Sequence, residues 1–152
     1  MRWLERNAWW LLLAMAVLSA VFGLGDLVSG APDNTQAVTG QTNDELALQS
    51  GHAYRLIEVG VRAGGLQLML IGALLAAIAL FGFRQNLRWA WWAMWSIPIW
   101  TASVVALHLA VGISPGQTAP PPVFSGAIFS ALTGGILLVS RPQFFRRRSA
   151  GG

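Results

Sequence analysis

The chain has no cysteine among its 152 residues. This excludes disulfide exchange, thiolate catalysis, cysteine-ligated iron–sulfur clusters and c-type haem attachment. Charge is scarce too: 11% of residues are charged and 55% hydrophobic, with a mean hydropathy of +0.55. A soluble domain needs far more surface charge than this. Histidine occurs only at 52 and 108, and no metal-ligand cluster is visible. There is no inverted repeat and no series of mid-span acids, so transport along a proton path is poorly supported. No motif specifies a reaction or a substrate.

What the chain does contain is four long apolar runs, near 9–28, 66–83, 89–111 and 123–140. Each is about long enough to cross a ~30 Å hydrocarbon layer as a helix rising ~1.5 Å per residue. The backbone must satisfy itself in lipid, and the alternation expected of a membrane barrel is absent. The expected fold is all-α: one polytopic domain, an up-and-down bundle of four transmembrane helices with a long extracytoplasmic loop after the first.

Arginine placement sets the orientation. Arg2, Arg6, Arg84, Arg88, Arg141, Arg146, Arg147 and Arg148 fall on one side if the four helices alternate. The other side carries Asp33, Asp44, Glu45 and Glu58 against Arg55 and Arg62, and a 112–122 turn without charge. The positive-inside rule then places both termini in the cytoplasm, as in a multi-pass protein of a bacterial inner membrane. The formal charge of +4 reads as topology and attraction to anionic lipid, not as nucleic-acid binding. The first 28 residues also resemble a signal peptide, with Ser19-Ala20 as a loose cleavage mark. The apolar stretch is longer than a usual signal core and Trp9-Trp10 resembles an interfacial anchor, so a retained span is expected.

Local signals refine the helices. Residues 29–50 form a polar loop in which Asn43-Asp44-Glu45 is expected to cap a short helix near 45–51. The second helix is expected to start near His52, well before its apolar core. Pro98 should kink the third span by freeing the Met94 carbonyl, with Ser96, Thr101 and Ser103 available to compensate. Trp89, Trp91, Trp92 and Trp95 suit an aromatic belt. Close helix packing is expected at Ala16 and Ala20, at Gly72, Ala73, Ala76 and Ala77, and at two stripes of the last span. Those stripes are Gly126, Ser130, Gly134 and Ala127, Ala131, Gly135, and they serve either the internal bundle or another protein.

One polar site is suggested. Counting places Asp26, Glu58, Arg62 and His108 near the outer mouth of the bundle, with Trp100 deeper. Ionisable groups at the apolar boundary are costly unless paired or wetted. Asp26–Arg62 is a plausible pair, Glu58–Arg62 has favourable helical spacing, and His108 is a proton carrier or headgroup donor. These are ligand-binding candidates; Asp26 as a span terminator and Arg62 as a snorkelling side chain are the plainer alternatives. His52 lies roughly 21 Å outside the apolar core on a straight helix, which separates it from His108 and argues against haem. No cofactor and no metal are expected.

The block from Arg62 to Trp92, with Arg62-Ala63-Gly64-Gly65, Gly72, Phe83-Arg84 and Arg88-Trp89, resembles small bacterial four-helix membrane proteins of the DoxX-like neighbourhood. The resemblance implies a compact up-and-down bundle and supplies no reaction. Two functions compete. The first is a non-enzymatic membrane subunit or accessory protein packed against a larger membrane complex, or self-associating, with lipid around it. The second is a protein binding a lipid or small apolar molecule, or an acid–base enzyme, with its site at the outer mouth.

Overall fold

The computed structural model describes residues 2–30, 40–110 and 121–145. All regular structure among them is helical: α1 (Arg2–Ser29), α2 (Asn43–Gln49), α3 (Gly51–Ile78), a π turn (Ala79–Phe83), α4 (Arg88–Met94), α5 (Ser96–Ala110) and α6 (Pro121–Phe145). Asp33 in the long loop, the prolines at 115 and 120, and Arg146–Arg148 lie outside the described residues.

Four helical stretches are long and apolar enough to cross a membrane: Asn7–Ser29, Gly51–Phe83, Arg88–Ala110 and Val123–Phe145. Their outward faces are apolar, with Leu74, Phe81, Ile99, Ile128 and Leu132 all more than half exposed. Water would penalise such faces and lipid does not. The second stretch begins at Gly51, close to the expected start. Its 33 residues span about 50 Å at ~1.5 Å per residue, so its first turns extend past the end of α1.

The chain assembles as two antiparallel pairs. In the first, α1 lies along α3 at backbone contact. A Cβ built on Gly23 would stand 2.5 Å from the Gly65 carbonyl oxygen and 2.5 Å from the Met69 nitrogen, and one on Gly72 would stand 2.7 Å from the Ala16 oxygen. Small side chains therefore set the interhelical distance, as they do wherever apolar surroundings provide no other drive to associate. Ala16, Ala20 and Gly72 meet as their spacing suggests, and Ala73 stays exposed. In the second pair, α4 and α5 lie along α6. A Cβ on Gly126 would stand 2.9 Å from Val105 Cγ2. Ser130 Oγ donates to the Pro98 carbonyl at 3.0 Å, and the Trp91 indole N–H donates to the Leu137 carbonyl at 2.9 Å.

The pairs join through α1 against α6 and, at the end carrying both termini, through the π turn and α4. The core lies in that half: Leu12, Leu75, Phe83, Trp91, Met94, Leu137 and Phe144 are buried together. Trp91 therefore belongs to the core and not to the aromatic belt, while Trp89 and Trp92 remain exposed.

Three local devices shape the helix ends. Thr42, not Asn43, caps α2: its hydroxyl accepts the Glu45 N–H while the Glu45 carboxylate accepts the Thr42 N–H at 2.8 Å. The Thr42 amide, and after it the hydroxyl, hold the Glu45 carboxyl below its ordinary range. The turn from α3 to α4 closes on Asn86 at φ 57°. The Asn86 N–H reaches the Phe83 carbonyl and the Leu87 N–H reaches the Gly82 carbonyl, the paired bonds of a Schellman end. In the third span the helix breaks at Trp95, one turn before Pro98. Thr101 and Ser103 donate to the Ile97 and Ile99 carbonyls, not to the carbonyl that Pro98 frees.

Candidate functional site

Two of the loop-end polar residues, Glu58 and Arg62, meet at the last turn of α1. Its helix ends at Gly30, with φ +74° and an N–H bonded to the Asp26 carbonyl at 3.0 Å. This left-handed end leaves the next carbonyls without helical partners. Arg62 of α3 supplies them: Nη1 donates to the Leu27 carbonyl at 2.9 Å and, more weakly, to Val28 at 3.4 Å. Its Nε and Nη2 both donate to Glu58 Oε1, at 3.2 and 2.9 Å. A Cβ on Gly30 would stand 3.1 Å from Arg62 Nη2 and 3.3 Å from Glu58 Oε1. Gly30 thus sits against the guanidinium–carboxylate pair, where glycine leaves room.

This geometry decides what the site can do. A guanidinium donates only through its three nitrogens, and all three on Arg62 already donate to named acceptors. A cation at a helix C-terminus also answers the negative end of the helix dipole. Arg62 is therefore the cap of α1. It pairs with Glu58 and not with Asp26, because it stands opposite the helix end, one turn beyond Asp26. The Asp26 side chain is exposed, and its Cβ lies on the Gly65 side.

The remaining candidates do not converge on this cap. The ring of His108 sits 2.8 Å from the carbonyl of Val104, one turn back on its own helix. A carbonyl only accepts, so Nδ1 carries the proton there. No hydrogen bond or ion pair among the described residues links His108 to Asp26, Glu58 or Arg62. Trp100 is 42% exposed on the outside of α5. Among the described residues no three of His, Asp or Glu come close enough to hold a metal ion.

The stripes on α6 divide. Gly126 and Ser130 face α5, whereas Ala127, Ala131 and Gly135 are exposed, and nothing lies within 4 Å of a Cβ built on Gly134 or Gly135. Spacing alone did not show which stripe turns inward. The residues that do, Thr133, Leu137, Ser140 and Phe144, recur at intervals of three and four and carry that signal.

The cap can be tested. Arg62→Gln is expected to lower stability by about 1–2 kcal/mol, since it strands carbonyls at a partly exposed site. Glu58→Gln should cost less, about 0.5 kcal/mol, because an exposed pair contributes little. Denaturation of both single variants and the double variant in one detergent measures this. Equal losses from the two single changes would show that the carbonyl cap contributes nothing.

Comparison with known protein families, curated proteins and solved structures finds no match for this chain.

Proposed function

We propose that this chain is a non-enzymatic membrane subunit or accessory protein that packs a helix of a larger membrane complex against the outer face of α6. The observation that carries this reading is the exposed stripe of Ala127, Ala131 and Gly135 beside open space at Gly134 and Gly135. Small side chains at every fourth position let a neighbouring backbone come close, and van der Waals packing then holds it. The same pattern is already used inside the fold, where Gly23 and Gly65 bring α1 and α3 to backbone contact. The loop-end polar groups support a non-catalytic role, because Arg62 and Glu58 are engaged in capping a helix. The arginine bias supports an orientation with both termini in the cytoplasm of a bacterial inner membrane and the segment between α1 and α3 outside.

Extraction in a mild detergent followed by native mass spectrometry tests this. The expected result is a stoichiometric second protein that is lost at least tenfold in Gly135→Leu. Gly64→Leu, on an open face of α3, should retain it. A chain that runs alone, or a partner indifferent to Gly135→Leu, overturns the proposal.

A second reading, binding of a lipid or small apolar molecule, has support of its own. An open groove of about 250 Å³ between α1 and α3 is lined by apolar residues, among them Val17, Val21, Leu24, Met69 and Ala76. On this reading the ligand lies along the helix pair and not at the polar mouth. A small-molecule adduct without a partner protein in the same spectrum would favour it.

A further inference from the structure

We infer that the end of the fold carrying both termini holds a seat for the phosphate of an anionic phospholipid, built from Arg84 and Arg88. The two arginines flank the Schellman turn and both are exposed. Each is laid on a different terminal helix. The Arg84 guanidinium lies 5.0 Å above the Trp9 ring of α1, and that of Arg88 lies 5.7 Å from the Phe145 ring of α6. Arg88 Nε also donates to the Phe144 carbonyl at 3.2 Å. The only nitrogen of Arg88 that this hydrogen bond occupies is Nε, which leaves its terminal nitrogens for another acceptor.

Charge at this end is unbalanced. Among the described residues the ion pair is Arg62–Glu58, at the opposite end, and no carboxylate pairs with Arg84, Arg88 or Arg141. In the sequence Arg2 and Arg6 stand just before the first apolar run and Arg146–Arg148 follow the last, with Glu5 the one acid among them. Exposed Trp10, Trp89 and Trp92 surround the site with rings suited to the headgroup level. Guanidinium groups bind phosphate oxygens through parallel N–H bonds. A phosphodiester carried by a membrane lipid meets both requirements, the charge and the ring of aromatic anchors. A soluble anion meets only the first.

The test uses the purified full chain in detergent, titrated with phosphatidylglycerol, phosphatidylcholine or inorganic phosphate and read by native mass spectrometry. Phosphatidylglycerol should bind and phosphatidylcholine should bind far more weakly. Arg84→Gln should weaken phosphatidylglycerol about fivefold, and Arg84→Gln with Arg88→Gln about thirtyfold. Arg55→Gln, the same charge change at the other end, should leave it unaltered. Arg88→Gln also removes the tether to Phe144, so Arg84→Gln with an unchanged melting curve decides the case if the double variant is unstable. Equal binding of the two lipids, or phosphatidylglycerol binding that survives Arg84→Gln, overturns the inference. So does displacement by inorganic phosphate at the lipid's own concentration, or tighter binding of an acidic peptide.

Discussion

Replacing Gly65 with alanine is expected to destabilise the protein by about 3 kcal/mol, the upper end for inserting a methyl group into a packed contact. The same change at Gly64 should be neutral or raise stability by about 0.5–1 kcal/mol through helix propensity. The two residues are neighbours on α3, and only their surroundings differ. A Cβ on Gly65 would stand 2.6 Å from the Gly23 carbonyl oxygen, 2.7 Å from the Leu27 nitrogen and 2.9 Å from the Asp26 Cβ. Two of these atoms are backbone and cannot move aside by changing rotamer. The helices must separate, and the contacts at Gly72 with Ala16 and Ala20 loosen with them. The Arg62 cap is one turn away, so its reach to the Leu27 carbonyl should lengthen too. On Gly64 nothing lies within 4 Å of the new methyl group. Thermal melts of the two variants in one detergent make the comparison. Equal effects at the two positions would show that α1 and α3 do not meet at Gly65.

This contrast also marks what the sequence could tell. Four apolar runs, one-sided arginines and the start of the second helix near residue 52 are properties of single segments, and composition and periodicity reveal them. The proline effect was legible in the same way, because the lost donor of Pro98 belongs to one helix. The facing register of two helices belongs to neither. Gly64 and Gly65 read alike in the sequence, yet one is open and the other touches the backbone of α1. Arg62 had two carboxylates within plausible reach, and the i,i+4 partner won because Glu58 stands on the same helix. Its other partners were not legible at all, since backbone carbonyls leave no mark in residue type. The same holds for Arg88 on the Phe144 carbonyl. Asn86 gave a faint signal, as asparagine tolerates the left-handed region better than most residues. Among the tryptophans, the spacing of Trp91 and Trp95 describes a face but does not say whether lipid or α6 covers it.

Trp91→Ala should cost about 3–5 kcal/mol, the range for deleting a large aromatic side chain from a core. Trp91 is 4% exposed, and its ring packs edge-on to Trp92, Trp95 and Phe145 at 4.8, 5.7 and 5.2 Å between centroids. Its N–H shares the Leu137 carbonyl with the hydroxyl of Ser140. The ring is thus a main tie between α4 and α6, next to the joint where the two helix pairs meet. Losing it should also let α6 shift, and with it the face formed by Ala127, Ala131 and Gly135. Trp91→Phe separates the contributions, because it keeps most of the ring packing and removes the donor. A loss of about 1 kcal/mol is expected for one interhelical hydrogen bond in an apolar setting. Unfolding midpoints of the two variants, read beside partner retention by native mass spectrometry, should fall in the same order. If Trp91→Phe matched the parent in both, the indole N–H would have no part in fixing α6. If Trp91→Ala unfolded no more readily than Trp91→Phe, the ring would have no part, and the joint would rest on Phe83 and Phe144 packing across it at 4.6 Å.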